Sequence, residues 1–306
     1  MSDLRLSIVT PCFNRAGFVA DAIESVRSQG IASVEHIVID GGSTDGTLEV
    51  LTRYPEVIVV SEPDKGLYDA LNKGLRMARG SIIGHLNTDD IYAPDAFAAV
   101  LDAFDHIRDI DMVCGGAEVA VRDGRSWRPE KHYDGPSHFS LDWDLVMKGP
   151  ILTNARFYRR DVFDRVGLFD DRYRIISDRD FLLRCALAGI RGAPVSQTVY
   201  QYREHEGSLT FDPEKRNILA GFDEKIAIAS DHLNHLSLDP NLRMRYRHWR
   251  RYERANATLA AMHVGRYGHA LRHVRDGCAE PMAWLGYLLY RLGHAAVGTL
   301  HGRLRA

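Results

Sequence analysis

Cysteine is scarce: Cys12, Cys114, Cys185 and Cys278 are the four in 306 residues. They stand far apart, with no C-x-x-C pair and no zinc-ligand spacing, which argues against a disulfide scaffold or a cysteine zinc site and for reduced thiols. Long apolar runs are missing too. The most apolar stretch, Pro281 to Leu300, is interrupted by Arg291 and His294, and its unbroken part, Trp284 to Tyr290, falls far short of the ~20 residues of a bilayer span. The first residues lack the basic and apolar regions of a secretory signal, so the expectation is a cytoplasmic protein. There is no Gly-Lys-Ser/Thr phosphate loop, no G-x-G-x-x-G fingerprint, no repeat and no low-complexity run. Lysine vanishes from Asn241 onward, where twelve arginines face three acids for a net +9, leaving −11 on residues 1–240 of a chain whose total is −2. Such asymmetry suggests two parts with different partners.

What remains is ordinary globular composition, 45% hydrophobic and 26% charged, with length for a large α/β domain and an appendage. Leu4 to Thr10 reads as a strand stopped by Pro11, Ala16 to Gln29 as a helix, and Val34 to Ile39 as a second strand. That is a βαβ unit and hence a parallel sheet. Strands at Val57–Val60 and Ser81–Leu86 follow, with a helix from Tyr68 to Arg79 between them. Successive strand ends then present Thr10, Asp40, Asp64 and the pair Asp89-Asp90 along one edge, where ligands of open parallel sheets bind. An acidic pair at a strand end is tolerated by solvent or by a hard divalent cation, and as an isolated motif it reads first as a solvated turn. In Asp40-Gly41-Gly42-Ser43-Thr44-Asp45-Gly46-Thr47 the glycines allow close backbone approach, while Ser43 or Thr44 suits a helix cap. Met112 to Val121 is a further strand, and Arg122 to Ser140, with Trp127, His132 and Tyr133, a loop or hairpin. Ser177-Asp178-Arg179-Asp180 opens a helix with Ser177 as N-cap, and Val195 to Tyr202 is a later strand. Helices over 214–236, 241–264 and 268–279 make up the tail.

The ordered motifs Thr10-Pro11-Cys12-Phe13-Asn14-Arg15, Ile39 to Thr47, Pro63-Asp64-Lys65-Gly66 and Leu86-Asn87-Thr88-Asp89-Asp90, with Asp64-Lys65-Gly66-Leu67-Tyr68-Asp69-Ala70-Leu71-Asn72-Lys73-Gly74 before the acidic pair, resemble the nucleotide-sugar half of a family 2 glycosyltransferase. The likeness is greatest to bacterial O-antigen and exopolysaccharide enzymes. It implies an α/β GT-A (Rossmann-like) fold: a mostly parallel open sheet with helices on both faces, plus a C-terminal helical extension. The catalytic domain would span 1–210, with 1–121 as nucleotide-sugar half and 122–210 as acceptor half, and the extension 211–306.

By the same resemblance Thr10, Pro11, Asn14, Asp40, Gly42, Asp64, Gly66, Asn72 and Arg203 would line the donor, and Asp89 would contact ribose or sugar. Lys65 would touch phosphate or be a turn lysine. Asp90 would ligate Mn²⁺ or Mg²⁺, with His205 as further metal ligand, phosphate donor or plain surface histidine. Gly167-Leu168-Phe169-Asp170 followed by Asp178 matches the segment that carries the family's catalytic base, with Ser177 in place of an acid. The implied reaction is inverting, metal-dependent transfer of one sugar from a nucleotide-diphosphate sugar to a glycan or lipid-linked acceptor. Neither Gln-x-x-Arg-Trp nor membrane spans are present, which favours non-processive transfer. The arginine-rich residues 241–306 are expected on an anionic membrane surface, placing the enzyme peripherally on the inner face of the cytoplasmic membrane, or in a homo-oligomer contact; nucleic acid is not an expected partner. The rival readings are a sugar nucleotidyltransferase, whose N-terminal Gly-rich loop is missing, and a non-catalytic sugar-binding module.

Overall fold

A computed structural model describes residues 4–124, 126–205, 207, 217–235, 237–277 and 286. The chain divides into two compact units, Met1–Phe211 and Asp212–Ala306.

In the first unit the order is β1 (Leu6–Cys12), α1 (Val19–Arg27), β2 (Val34–Asp40), α2 (Thr47–Leu51), β3 (Ile58–Ser61), α3 (Leu67–Met77), β4 (Ile82–His85), β5 (Ile91–Tyr92), α4 (Ala96–His106), β6 (Met112–Asp123) and β7 (Ser126–Tyr133). It continues through α5 (Gly135–His138), α6 (Trp143–Lys148), β8 (Arg156–Arg159), α7 (Asp161–Val166), α8 (Ser177–Leu187) and β9 (Gly192–Glu204). The strands lie in the order β3-β2-β1-β4-β8-β6-β9-β5, with β7 paired to β6. From β3 to β4 all pairing is parallel, as the βαβ pattern requires. Beyond β4 the sheet is mixed: β8 runs antiparallel to β4 and β6, β6 and β9 are parallel, and β5 and β7 are antiparallel additions. The polar stretch after Val121 is a hairpin, because the short turn at Gly124, with φ +60°, reverses the chain.

Helices cover both faces, and period-2 alternation in β1 shows how. Leu6 and Ile8 pack with Ala22 and Val26 of α1 and Phe97, Val100 and Phe104 of α4. Val9 points the other way, under α3, where a Cβ added to Gly74 would fall 2.3 Å from Val9 Cγ1. Pro11 is tolerated in a central strand because the β1–β4 pairing ends at Val9–His85, so its missing N–H leaves no gap. The C-terminal ends of β1 to β4, β6 and β9, and the start of β8, therefore share one edge.

The second unit contains α9 (Ile218–His235), α10 (Pro240–His263) and α11 (Tyr267–Gly277). Asp239 caps α10 by accepting from the amides of Asn241 and Leu242 at 2.9 and 3.0 Å, with Pro240 at the first helical position. Tyr246 and Trp249 of α10 are fully buried, and Trp249 Nε1 donates to the buried Glu253 at 3.0 Å. No described helix is long and apolar enough to cross a membrane. Apart from Gly286, the apolar stretch 281–300 lies outside the described residues.

Candidate active site

The loops leaving β1, β2 and β3 are tied together by their own polar groups. Asn14, at φ +51°, donates its amide N–H to Ser43 Oγ at 2.7 Å and accepts from the Thr44 amide through Oδ1 at 2.9 Å. Gly42, at φ +86°, and Gly66, at φ +125°, supply backbone that side chains resist. Asp64 accepts from the Gly66 amide at 2.7 Å and lies directly over Gly41, where an added Cβ would fall 2.5 Å from its Oδ2. Lys65 is exposed next to it.

Three of the expected donor contacts have other work. Thr10 is fully buried in β1 and its Oγ1 meets His36 Nε2 at 2.8 Å, inside the sheet and away from the loops. Asp40 is also fully buried. Its Oδ2 takes the amides of Gly42 and Ser43 and the hydroxyl of Ser61, and its Oδ1 takes the hydroxyl of Ser43. Asp40 thus braces the loop from inside. Asn72 spends its side-chain amide on the Phe169 backbone, donating to the carbonyl at 2.7 Å and accepting from the N–H at 3.0 Å. It clasps the 167–170 segment to α3.

The acidic pair splits into two roles. Asp90 is buried, and its oxygens accept from the Tyr200 hydroxyl at 2.8 Å, the Arg203 amide at 2.9 Å and Asn87 Nδ2 at 3.4 Å. Burial, reinforced by the neighbouring Asp89 charge, pushes its carboxyl up to about 8, and these three donors only partly offset that. To serve as the metal ligand expected of it, Asp90 would have to give up one of these donors. Asp89 is the accessible partner. Its Oδ2 lies 3.0 Å from His205 Nε2 and 4.0 Å from Arg15 Nε, and no donor among the described residues reaches its Oδ1. His205 stacks on Phe18 at 4.7 Å and accepts from the Gly207 amide at Nδ1, which leaves the proton on Nε2 facing Asp89. A divalent ion fits this donor set, one carboxylate and one imidazole with diphosphate oxygens to complete it, provided that it displaces the Nε2 proton. Arg203 meets the pair through its backbone, whose amide donates to Asp90, while its guanidinium holds Asp21 at 2.7 Å and lies over Trp127 at 5.1 Å.

Asp178 sits in the first turn of α8. The helix begins at Ser177, with Ile176 in the cap position and no side-chain cap. Ser177 is therefore the first helical residue, fully buried with an unpartnered Oγ, and the expected Ser177 cap is not formed. Asp178 instead accepts from the Arg179 amide at 2.8 Å and from Thr153 Oγ1 at 3.0 Å. Burial raises its carboxyl pKa, with Arg179, Thr153 and Tyr68 acting against the rise. Asp180 faces elsewhere, accepting from Arg184 Nε at 2.8 Å, and Asp170 is paired with Arg172.

Residues that the sequence reading left out connect the two acids. Next to Thr153, Asn154 donates to the Tyr200 hydroxyl at 3.1 Å and faces His85 Nε2 through Oδ1 at 2.7 Å. Tyr200 in turn donates to Asp90. Because Asn154 Nδ2 is the donor to Tyr200, its Oδ1 is the acceptor and His85 carries the proton on Nε2. Burial holds the His85 imidazole down at about 4, so it is neutral near pH 7. Thr153, Asn154 and Tyr200 are thus a polar floor from Asp178 to Asp90. Thr153 and Asn154 lie in the turn before β8 and Tyr200 inside β9, and only the way the sheet brings these elements together gives them a role.

A family model described as Glycosyl transferase family 2 matches residues 7–167. A PGL/p-HBAD biosynthesis glycosyltransferase of Mycobacterium bovis is 32% identical over 185 residues, covering 58% of this chain and 68% of that protein. Among solved structures, S. aureus TarS 1-349 in complex with UDP-GlcNAc is similar at TM-score 0.54 and 15% identity, with 90% of this chain and 92% of that chain covered. The mannosyltransferase PcManGT from Pyrobaculum calidifontis, in complex with GDP-Man and Mn2+, is similar at TM-score 0.59 and 16% identity, with 96% and 80% covered. The chain spans 43% of a longer TarS chain. At such identities the structural likeness bears on the fold, which is GT-A. With the family model over more than half of its length and a relative matched over two thirds of that relative's own length, the chain belongs to glycosyl transferase family 2 and is a glycosyltransferase enzyme.

Proposed function

We propose that this enzyme transfers a single sugar, with inversion, from a nucleotide-diphosphate sugar to a hydroxyl of a growing bacterial surface glycan carried on a lipid. The observation that carries the reading is the polar floor Thr153–Asn154–Tyr200, which starts at the partly exposed carboxylate of Asp178 and ends at Asp90, the chain neighbour of the accessible carboxylate Asp89. Donor complexes of the structural neighbours, with UDP-GlcNAc and with GDP-Man and Mn2+, support a nucleotide-sugar donor.

In this reading the nucleotide lies against the loops braced by Asn14, Asp40 and Asp64, contacting their backbone more than their buried carboxylates. Asp89 and His205 hold a divalent ion, which supplies positive charge to the departing diphosphate. Arg15, 4.0 Å from Asp89, adds a cation on the same side. Asp178 accepts the proton of the attacking hydroxyl; Thr153 aims its carboxylate and the Arg179 amide holds it charged. Asp90 works through others: it locks Tyr200 and the Arg203 amide so that β4 and β9 keep their spacing. The basic residues after Asn241 suit an anionic membrane face, where each is worth roughly 1 kcal/mol. The apolar residues expected to help, Trp284, Leu285, Leu288, Leu289 and Leu292, lie outside the described residues.

The test is calorimetry and turnover with UDP-, GDP- and dTDP-sugars, with Mn²⁺ and after EDTA. Donor binding is expected to need the metal and to fail in Asp89→Ala, whereas Asp90→Asn should mainly lower stability. Undiminished turnover of Asp89→Ala in EDTA would overturn the metal assignment. A protein that binds donor but never hydrolyses or transfers it would be the binding module instead.

A further inference from the structure

The helical unit carries a second cluster of metal-ligating side chains, independent of the donor site. His269 and His273 stand four residues apart on α11 and share one face of it, and α9 brings Asp223 against them. Asp223 Oδ1 lies 3.0 Å from His273 Nε2, and its Oδ2 3.3 Å from His269 Nε2. The three donor atoms lie within 4.8 Å of one another. His273 is 6% exposed, His269 16% and Asp223 37% at the side chain.

Distance alone would make this a pair of ordinary ion pairs. The direction argues otherwise. Both Nε2 atoms are buried, yet neither has a hydrogen-bond partner, although a carboxylate oxygen is near each. The oxygens therefore lie off the N–H axes. Two imidazoles and a carboxylate thus stand together with both buried Nε2 atoms unbonded, a donor set that a shared cation would satisfy. A tetrahedral site with bonds of about 2.0–2.1 Å has ligand–ligand edges of roughly 3.3 Å. The two imidazole–carboxylate separations, 3.0 and 3.3 Å, are of that size, each to a different oxygen of Asp223, and side-chain rotation would have to bring both rings onto one oxygen.

We propose that Asp223, His269 and His273 bind one divalent transition-metal ion that clamps α11 to α9. Two imidazoles and one carboxylate suit Zn²⁺ better than Ca²⁺ or Mg²⁺, which take oxygen ligands. Three protein ligands leave one position for water. The ligands come from helices on either side of α10, so the ion closes a long loop and stabilises the folded unit. One neighbour opposes it. Arg272 donates to His269 Nδ1 at 3.2 Å, which puts the ring proton on Nε2; metal binding moves that proton to Nδ1, and the exposed Arg272 must swing away.

Full-length, tag-free enzyme stripped with EDTA should take up one equivalent of Zn²⁺ in calorimetry, show a Co²⁺ absorption band of a nitrogen and oxygen site, and melt at a higher temperature when Zn²⁺ is present. His269→Ala should weaken that equivalent by more than the roughly 10–100-fold that loss of an outer partner costs, and Asp223→Asn should do the same. Asp89→Ala should keep it, which separates this site from the donor metal, and Arg272→Ala should tighten it. His269 is partly exposed, so its variant is not expected to unfold, and far-UV dichroism checks this. Equal stoichiometry and affinity in the stripped wild type and in folded His269→Ala would overturn the site, and an unchanged melting temperature with Zn²⁺ would overturn the clamp.

Discussion

Asp178 and Asp180 differ by two positions on α8, about 200° of helical rotation, and their surroundings divide the work. Asp178 meets Thr153 and its own helix amide, whereas Asp180 is buried against Arg184, which also donates to the carbonyls of Val166 and Leu168. Asp178→Asn should cut kcat by roughly 10²–10⁴ with donor affinity little changed, since proton removal is typically worth that much. Asp180→Asn should leave kcat near normal in the folded protein and lower stability by about 1–3 kcal/mol, the cost of weakening a buried charge-assisted contact. Steady-state kinetics with calorimetry of donor binding checks both; the reverse pattern would move the base by two residues. Motif position singles out Asp178 as the candidate base. It does not anticipate the internal partners of Thr10, Asp40 and Asn72, because a polar residue in a ligand motif reads the same whether it faces the ligand or holds the loop that does. Asp89 and Asp90 could not be told apart for the same reason: which of two adjacent carboxylates is buried depends on Tyr200, 110 residues away.

At the level of elements, the parallel strands and their helices were legible because apolar runs of strand length alternate with 3.6-residue periodicity. The antiparallel insertion of β8 was not, since four residues of strand carry too little pattern to declare a neighbour. The packing of α3 on β1 and β2 depends on a missing side chain. In Gly74→Ala the new methyl would meet Val9 Cγ1 at 2.3 Å and Ile39 Cγ1 at 3.3 Å, both on fully buried side chains. Alanine gains about 1 kcal/mol of helix propensity over glycine, but overpacking a tight core typically costs 1–3 kcal/mol, and at this separation the clash should win. Urea unfolding should show a net loss in Gly74→Ala and a marked recovery in the double variant with Val9→Ala, because the two sites touch. Additive losses would mean that α3 moves aside.

Across the whole molecule, acid stability reports on imidazoles buried without charge. His36, fully shielded in β2, is held down at about 3 by burial. Its unfolded value is near 6.5, so between these two the unfolded chain binds the extra proton, and the His36 contribution is complete above pH 6.5 and shrinks as pH falls. Asp90 and Asp178, whose carboxyls are raised, act with the opposite sign over part of this range. The informative measurement is thus a difference: from pH 7 to pH 5, His36→Gln should lose about 2 kcal/mol less than the wild type, from 1.5 pH units at ~1.4 kcal/mol each. Identical acid sensitivity would count against a neutral His36. Finally, the clasp of Asn72 on Phe169 joins a helix of the nucleotide half to a segment with no regular structure on the way to α8. Phe169 is 4% exposed and its N–H is held at 3.0 Å. In deuterated solvent that amide should exchange on the timescale of the central strands rather than of loops, and Asn72→Ala should release it to fast exchange while the amides of β1 stay slow.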